Sequence, residues 1–217
     1  QAGAMLVPTE RFCAGWPNAS VDGCPSGEVV TIHPQYAGYH GQDINQADVA
    51  LLQWPLHLPM DPAVAAADLR YYAARSSGAD TKGFFTGDSA YAIAFLFLGG
   101  EANRAAAATQ LGYAYDHMLA PFHLWSETDP RVAPHNATGN LNFLTGAGGF
   151  LENVVFGYGG VRYTADGLWL SPSLPPNATA LVLRGLSFAD GTVRVEVTPP
   201  TLRLARTSGA TALTVHG

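Results

Sequence analysis

Residues 139–162 read GNLNFLTGAGGFLENVVFGYGGVR, and the reading of this stretch decides the fold. Its apolar positions predict a helix over about 148–156, with a glycine-rich run ahead of it. After Gly160 the period changes from helical to alternating. The segments VRYTADGLWLSP (161–172), ALVLRGLSF (180–188), TVRVEVTP (192–199), LRLART (202–207) and ALTVHG (212–217) alternate or carry β-branched residues. Turn residues separate them at Ala165-Asp166-Gly167, Asp190-Gly191 and Ser208-Gly209. This is the pattern of an antiparallel sheet, one half of a small sandwich.

Upstream of the switch the pattern is helical. DINQADVALLQW (43–54) places Val49, Leu51 and Leu52 around one face. DPAVAAADLRYYAARS (61–76) opens with Asp61 in the N-cap position and Pro62 at the first helical position, a strong start signal. TGDSAYAIAFLFLG (86–99) stops at Gly99-Gly100, and EANRAAAATQLGYAYDHML (101–119) follows. Residues 1–40 form an irregular lead-in with one strand in EVVTI (28–32). Helices first and strands after give an α+β chain in three parts: 1–40, 41–158 and 159–217. The segment YAIAFLFLGG (91–100) is apolar on every side, so it is buried on every side. It is too short for a bilayer, which takes about 20 residues. Either the helices close a small bundle by themselves or partner helices lie elsewhere, and the pattern alone leaves both open.

Composition narrows the function. The chain has 217 residues, and its charged fraction of 13% is about half the usual share. With 24 Gly and 15 Pro, low charge suits a protein made for the outside of the cell. The net charge is −6 with no basic run, which argues against nucleic acid as a partner. Three sequons, at Asn18, Asn136 and Asn177, are candidate glycosylation sites. Cys13 and Cys24 are expected to form a local disulfide in an oxidising compartment, with two free thiols as the competing reading. The chain opens QAGAMLVP, with no charged start and no apolar core of a leader. The expectation is that a leader was removed or that the chain was cut from something longer.

The chemistry concentrates in PFHLWSET (121–128). Glu127 stands beside Phe122 and Trp125, an acid among aromatic side chains that can wall a sugar face. Its bland reading is an ordinary loop acid. Sugar hydrolysis takes two carboxyl groups flanking one bond, and this stretch holds one. Gln46, near the start of a helix, can orient sugar hydroxyls or lie on a solvated surface. Thr145, Gly146, Gly148 and Gly149 can cradle an anion ahead of a helix, with close backbone packing as the competing reading. The seven histidines show no metal-ligand spacing, and no metal or cofactor is expected. Ser89 in GDSAY is not a nucleophile elbow.

Four stretches, in order, resemble the C-terminal portion of glycoside hydrolase family 65, in its acid trehalase and glucosylgalactosyl-hydroxylysine glucosidase branch. INQADVALLQWPL is similar to the family helix KQADV-LL-YPL. GFFTGDSAYAIAFLFLG resembles the helix after it. PFHLWSET resembles the PF-VWTE loop of the hydrolases, and GNLNFLTGAGGFLENVVFGYGGVR resembles VNFLTGMGGFLQ-VVFG–GFR. The last two are the most specific, and the likeness covers roughly residues 35–190.

The resemblance implies the C-terminal part of an (α/α)6 barrel followed by a small antiparallel β-sandwich domain. It implies an inverting hydrolase that cleaves α,α-trehalose to two glucoses. Glu127 would be the general base, and Gln46, Asn45 and Trp125 would bind substrate. The family's Lys-Gln pair is Asn45-Gln46 here, so the charge of that contact is missing. The general acid would come from the N-terminal portion of the same enzyme, present as a second chain, and the location would be secreted, extracellular or vacuolar. Other glucosidases of the family acting on kojibiose-like or glucosyl-galactosyl linkages, a disaccharide phosphorylase, and a non-catalytic sugar-binding fragment are the alternatives.

Overall fold

The computed structural model describes residues 7–14, 24, 26–42, 44, 46, 48–76, 87–128, 139–165 and 167–210. Asn18, Asn45, Asn136 and the strand expected at 212–217 lie outside these residues. The described chain is of mixed helix and strand, with small antiparallel sheets. It divides into two compact units, Gln1–Glu152 and Asn153–Gly217.

The first unit opens with two antiparallel strands, β1 (Glu10–Cys13) and β2 (Val29–Ile32), with Cys13 opposite Val29. The disulfide joins Cys13 to Cys24, on the segment leading into β2. Among the described residues four α-helices follow: α1 (Pro62–Ser76), α2 (Asp88–Leu98), α3 (Glu101–Asp116) and α4 (Leu144–Glu152). The expected start of α1 is realised, since the Ala63 N–H donates to Asp61 Oδ1 at 2.7 Å. In α2, Tyr91 through Phe95 are all buried, the all-round burial that its composition demands. Tyr91 shares a hydrogen bond with Ser76 (2.6 Å), tying α2 to the end of α1. Burial pushes the Tyr91 and Tyr72 hydroxyls far above their ordinary pKa. Both stay protonated donors in the core.

The helical expectations for 43–54 and 148–156 are revised. Among the described residues of 43–54 the helical part is a 3₁₀ helix, Asp48–Leu52. Pro55 disfavours helical backbone at Trp54, and the chain turns there, with Leu58 N–H donating to Leu52 O at 2.8 Å. The last helix starts at Leu144, so Thr145, Gly146, Gly148 and Gly149 lie inside it and form no cradle ahead of it. A Cβ on Gly149 would sit 2.7 Å from the Ser89 side chain, so close packing is the reading that fits.

The second unit starts with a π-helical turn, Asn153–Tyr158. A four-residue antiparallel pair, Val161–Thr164 with Gly167–Leu170, precedes a three-stranded antiparallel sheet. That sheet is Leu181–Phe188, Gly191–Thr198 and Thr201–Ser208 in sequential order. Val193, Val195 and Val197 point inward from the middle strand and form a core with Val161 and Leu183. Their alternation is the period of two seen in TVRVEVTP. A bulge interrupts the pairing between Leu183 and Leu186, where Gly185 takes φ +72°.

Candidate active site

The candidate site is a length of paired chain after α3. Met118–Leu119 (β3) and Leu124–Trp125 (β4) form a short hairpin, so the helix expected to reach residue 119 stops at Asp116. His117 anchors the hairpin: its carbonyl accepts from Ser126 N–H at 3.0 Å, and its ring Nδ1 lies 3.1 Å from Ser126 O. Beyond β4 the chain runs antiparallel to residues 139–143. Phe143 N–H donates to Trp125 O (2.9 Å), Ser126 bridges Leu141, and Glu127 N–H donates to Asn140 O (3.1 Å). The loop WSET and the start of GNLNFLTG are thus one ladder.

Glu127 is half-buried on this ladder. Its Oε2 accepts two hydrogen bonds from Asn140, one from the backbone N–H (3.0 Å) and one from Nδ2 (2.7 Å). Among the described residues Oε1 accepts none. Thr128 is buried, and its hydroxyl accepts from Gly139 N–H at 3.1 Å. The approach is close because residue 139 is glycine. A Cβ there would lie 2.8 Å from Thr128 N and 2.9 Å from Glu127 Cβ.

Trp125 is half-buried. Its indole N–H donates to Ala114 O at 3.2 Å, and its ring packs on Phe150 at 5.3 Å between centroids. Phe122 sits in the tip of the hairpin and is 79% exposed. Gln46 is exposed, donates from Nε2 to Asp48 Oδ1 (2.7 Å), and its carbonyl accepts from Gln35 Nε2 (3.3 Å). No hydrogen bond or ring contact joins Gln46 to Glu127 or Trp125 among the described residues. Asn177 is exposed in a turn with φ +63°. Among the described residues no group of three His, Cys, Asp or Glu is placed to hold a metal, and no helix is long and apolar enough to cross a membrane. A cavity of about 300 Å³ lies elsewhere in the first unit, lined by Leu51, Trp54, Ser89, Thr145, Gly149 and Glu152 among others. None of Glu127, Trp125 and Gln46 lines it.

Asn140 and Gly139 escape a reading of the sequence, because their meaning depends on pairing across a gap of more than ten residues. What the site can do is hold one carboxylate at a fixed angle, with one oxygen occupied and the other left for a proton.

No family model matches the chain. It is 34% identical over 184 residues to the protein-glucosylgalactosylhydroxylysine glucosidase of Gallus gallus, covering 84% of this chain and 24% of that protein. It is 32% identical over 162 residues to a cell wall acid trehalase of Arthroderma benhamiae, covering 69% of this chain and 14% of that protein. This chain is homologous to glycoside hydrolase family 65 enzymes. It spans about a quarter or less of the length of the curated relatives it matches. A solved structure assigned as a kojibiose phosphorylase from the human microbiome matches 77% of this chain and 22% of its own, with a TM-score of 0.55 and 16% identity. That likeness bears on the fold alone. The homologues named here by sequence are glycosidases, which makes glycoside hydrolysis the chemistry to test.

Proposed function

We propose that this chain is the base-carrying portion of an inverting glycoside hydrolase that cleaves an α-glucosidic bond with water. The observation that carries the reading is the carboxylate of Glu127, gripped at Oε2 by Asn140 and open at Oε1. An inverting enzyme needs one carboxylate that deprotonates water and one carboxylic acid, about 6.5–9.5 Å away, that protonates the leaving oxygen. The acid would come from the remaining portion of the same enzyme, and the fold would complete an (α/α)6 barrel followed by a β-sandwich. Gln46 and Asn45 would contact the non-reducing glucose, and Trp125 would offer its exposed part to the sugar face. Asn18, Asn136 and Asn177 would carry glycans, in keeping with a disulfide and a secreted, extracellular or vacuolar location.

Two substrates have support. Trehalose suits the WSE loop and a chain exported to an oxidising compartment, and one relative is a cell wall trehalase. A glucosyl-galactosyl unit on hydroxylysine suits the higher identity and coverage of the Gallus relative. The test is to assay the full-length enzyme on α,α-trehalose, kojibiose and a glucosylgalactosyl-hydroxylysine peptide, with and without phosphate, following the released anomer by NMR. The expected result is hydrolysis of one of them in phosphate-free buffer with β-glucose released first. Strict dependence on phosphate would make it a phosphorylase. Sugar binding with no turnover on any of the three would make it a non-catalytic fragment.

A further inference from the structure

We propose that Asn140 is the positioning residue of Glu127, holding one carboxylate oxygen so that the other is presented to the attacking water. The inference rests on the reading of Glu127 as the base. Glutamate has three side-chain torsions, and a half-buried one on a loop samples several rotamers. Two donors on a single oxygen remove that freedom. Both come from one residue, the backbone N–H at 3.0 Å and Nδ2 at 2.7 Å. That residue is itself fixed, because its carbonyl accepts from Glu127 N–H at 3.1 Å and its neighbours pair with Trp125 and Ser126. Gly139 lets the two segments close to this distance.

The arrangement is asymmetric. Asn140 takes only Oε2, and Oε1 accepts no hydrogen bond from any described residue. A side chain recruited only to bind the loop together would do as well with one donor on each oxygen. Loading both onto one oxygen sets the plane of the carboxylate and leaves a lone pair for the proton of water, which is the geometry a general base requires. Asn140 touches neither water nor sugar in this account; it acts through Glu127.

The test is a double-mutant cycle in the full-length enzyme on whichever substrate it hydrolyses. Asn140→Ala should lower kcat by roughly 10- to 100-fold, the value of a hydrogen bond to a charged group, and leave KM within about twofold. Asn140→Asp keeps the shape but sets a carboxylate against a carboxylate, so it should lower kcat further. In a Glu127→Gln background, Asn140→Ala should cost less than about threefold, because the two residues act as one unit. A Glu127→Gln enzyme that is dead while Asn140→Ala turns over within threefold of wild type would overturn the role of Asn140 and leave the base in place. An equal loss from Asn140→Ala in both backgrounds would overturn it too. Near-normal turnover by Glu127→Gln would overturn the base reading itself. If Asn140→Ala fails to fold, Asn140→Asp decides alone: kcat within threefold of wild type sinks the proposal.

Discussion

Two carboxylates in the first unit are held by the same device but differ in how far their oxygens are occupied. Asp68, on α1, accepts from the His33 backbone N–H at 2.8 Å and pairs with the His33 imidazole at 2.7 Å. Glu127 accepts from the Asn140 backbone N–H and the Asn140 side chain. In each case one residue of a neighbouring segment grips the acid with its main chain and its side chain together. The difference lies in the oxygens. His33 occupies both oxygens of Asp68, one with each group, and Asp68 is 1% exposed. Asn140 occupies one oxygen of Glu127, which is half-buried. A saturated, buried carboxylate fixes two segments to each other; a half-saturated, accessible one leaves an oxygen open, as the proposed base would need. Burial alone would have ranked Asp68 as the more unusual acid, and counting open lone pairs reverses that order.

The sharpest way to break the comparison is to neutralise each acid in turn. Glu127→Gln should lower kcat of the full-length enzyme by about 10² or more with the fold intact. Asp68→Asn should leave kcat within a few-fold, since an amide oxygen can still accept from the His33 N–H. Steady-state kinetics with circular dichroism on both variants checks this. A dead Asp68→Asn enzyme that is fully folded would erase the distinction.

The next effect is on stability. His33→Ala removes the imidazole and strands a buried carboxylate, which should cost about 3–5 kcal/mol at neutral pH. Burial pushes the Asp68 carboxyl above its ordinary pKa, and the two His33 hydrogen bonds only partly pull it back. The folded chain therefore holds this proton more tightly than the unfolded chain does. This group favours folding below the unfolded value of 3.8 and loses that contribution as pH rises through the raised value. The penalty of His33→Ala should accordingly shrink as pH falls from 7 toward 4, where the stranded acid takes up a proton. Denaturant midpoints across that range measure it, and a penalty that grows toward acid would contradict the assignment. A smaller loss, about 2–3 kcal/mol, is expected when Cys13 and Cys24 are both changed to Ser. The link joins positions 11 apart in sequence, beside β2, the strand that delivers His33.

The parts of this molecule that were legible in its sequence are those decided locally. Asp61-Pro62 opens α1 where the capping rules put it. The alternation of Val193, Val195 and Val197 gives a strand with one buried face. Cys13 and Cys24 are joined. What failed to show were features decided by partners distant along the chain. TGAGG looks like the lead-in to a helix, because isolated glycines disfavour helix by about 1 kcal/mol each. It is helix here because Gly149 admits the Ser89 side chain. Asn140 looks like a polar loop residue until the ladder sets it against Glu127. Glu127 itself was legible as a candidate from its aromatic company, but its grip was not.

Trp125 gives the smallest effect and the finest distinction. Its indole N–H serves the Ala114 carbonyl at the end of α3, and its ring packs on Phe150. Both contacts look inward, as those of Asp68 do, yet the ring is half-exposed and two residues from Glu127, where a sugar face would lie. Trp125→Phe keeps an aromatic ring against Phe150 but removes the indole N–H and part of the ring. The expected loss is about 1–2 kcal/mol, one hydrogen bond to a carbonyl and some ring packing, seen as a modest drop in Tm. KM should stay within about threefold, because a sugar stacks on a ring and not on its buried edge. Trp125→Ala, by contrast, should raise KM by about tenfold or more, since stacking is lost. If Trp125→Ala lowers Tm but leaves KM untouched, Trp125 belongs with Asp68 among the residues that only hold segments together. The sugar face beside the proposed base would then have to be lined by other residues.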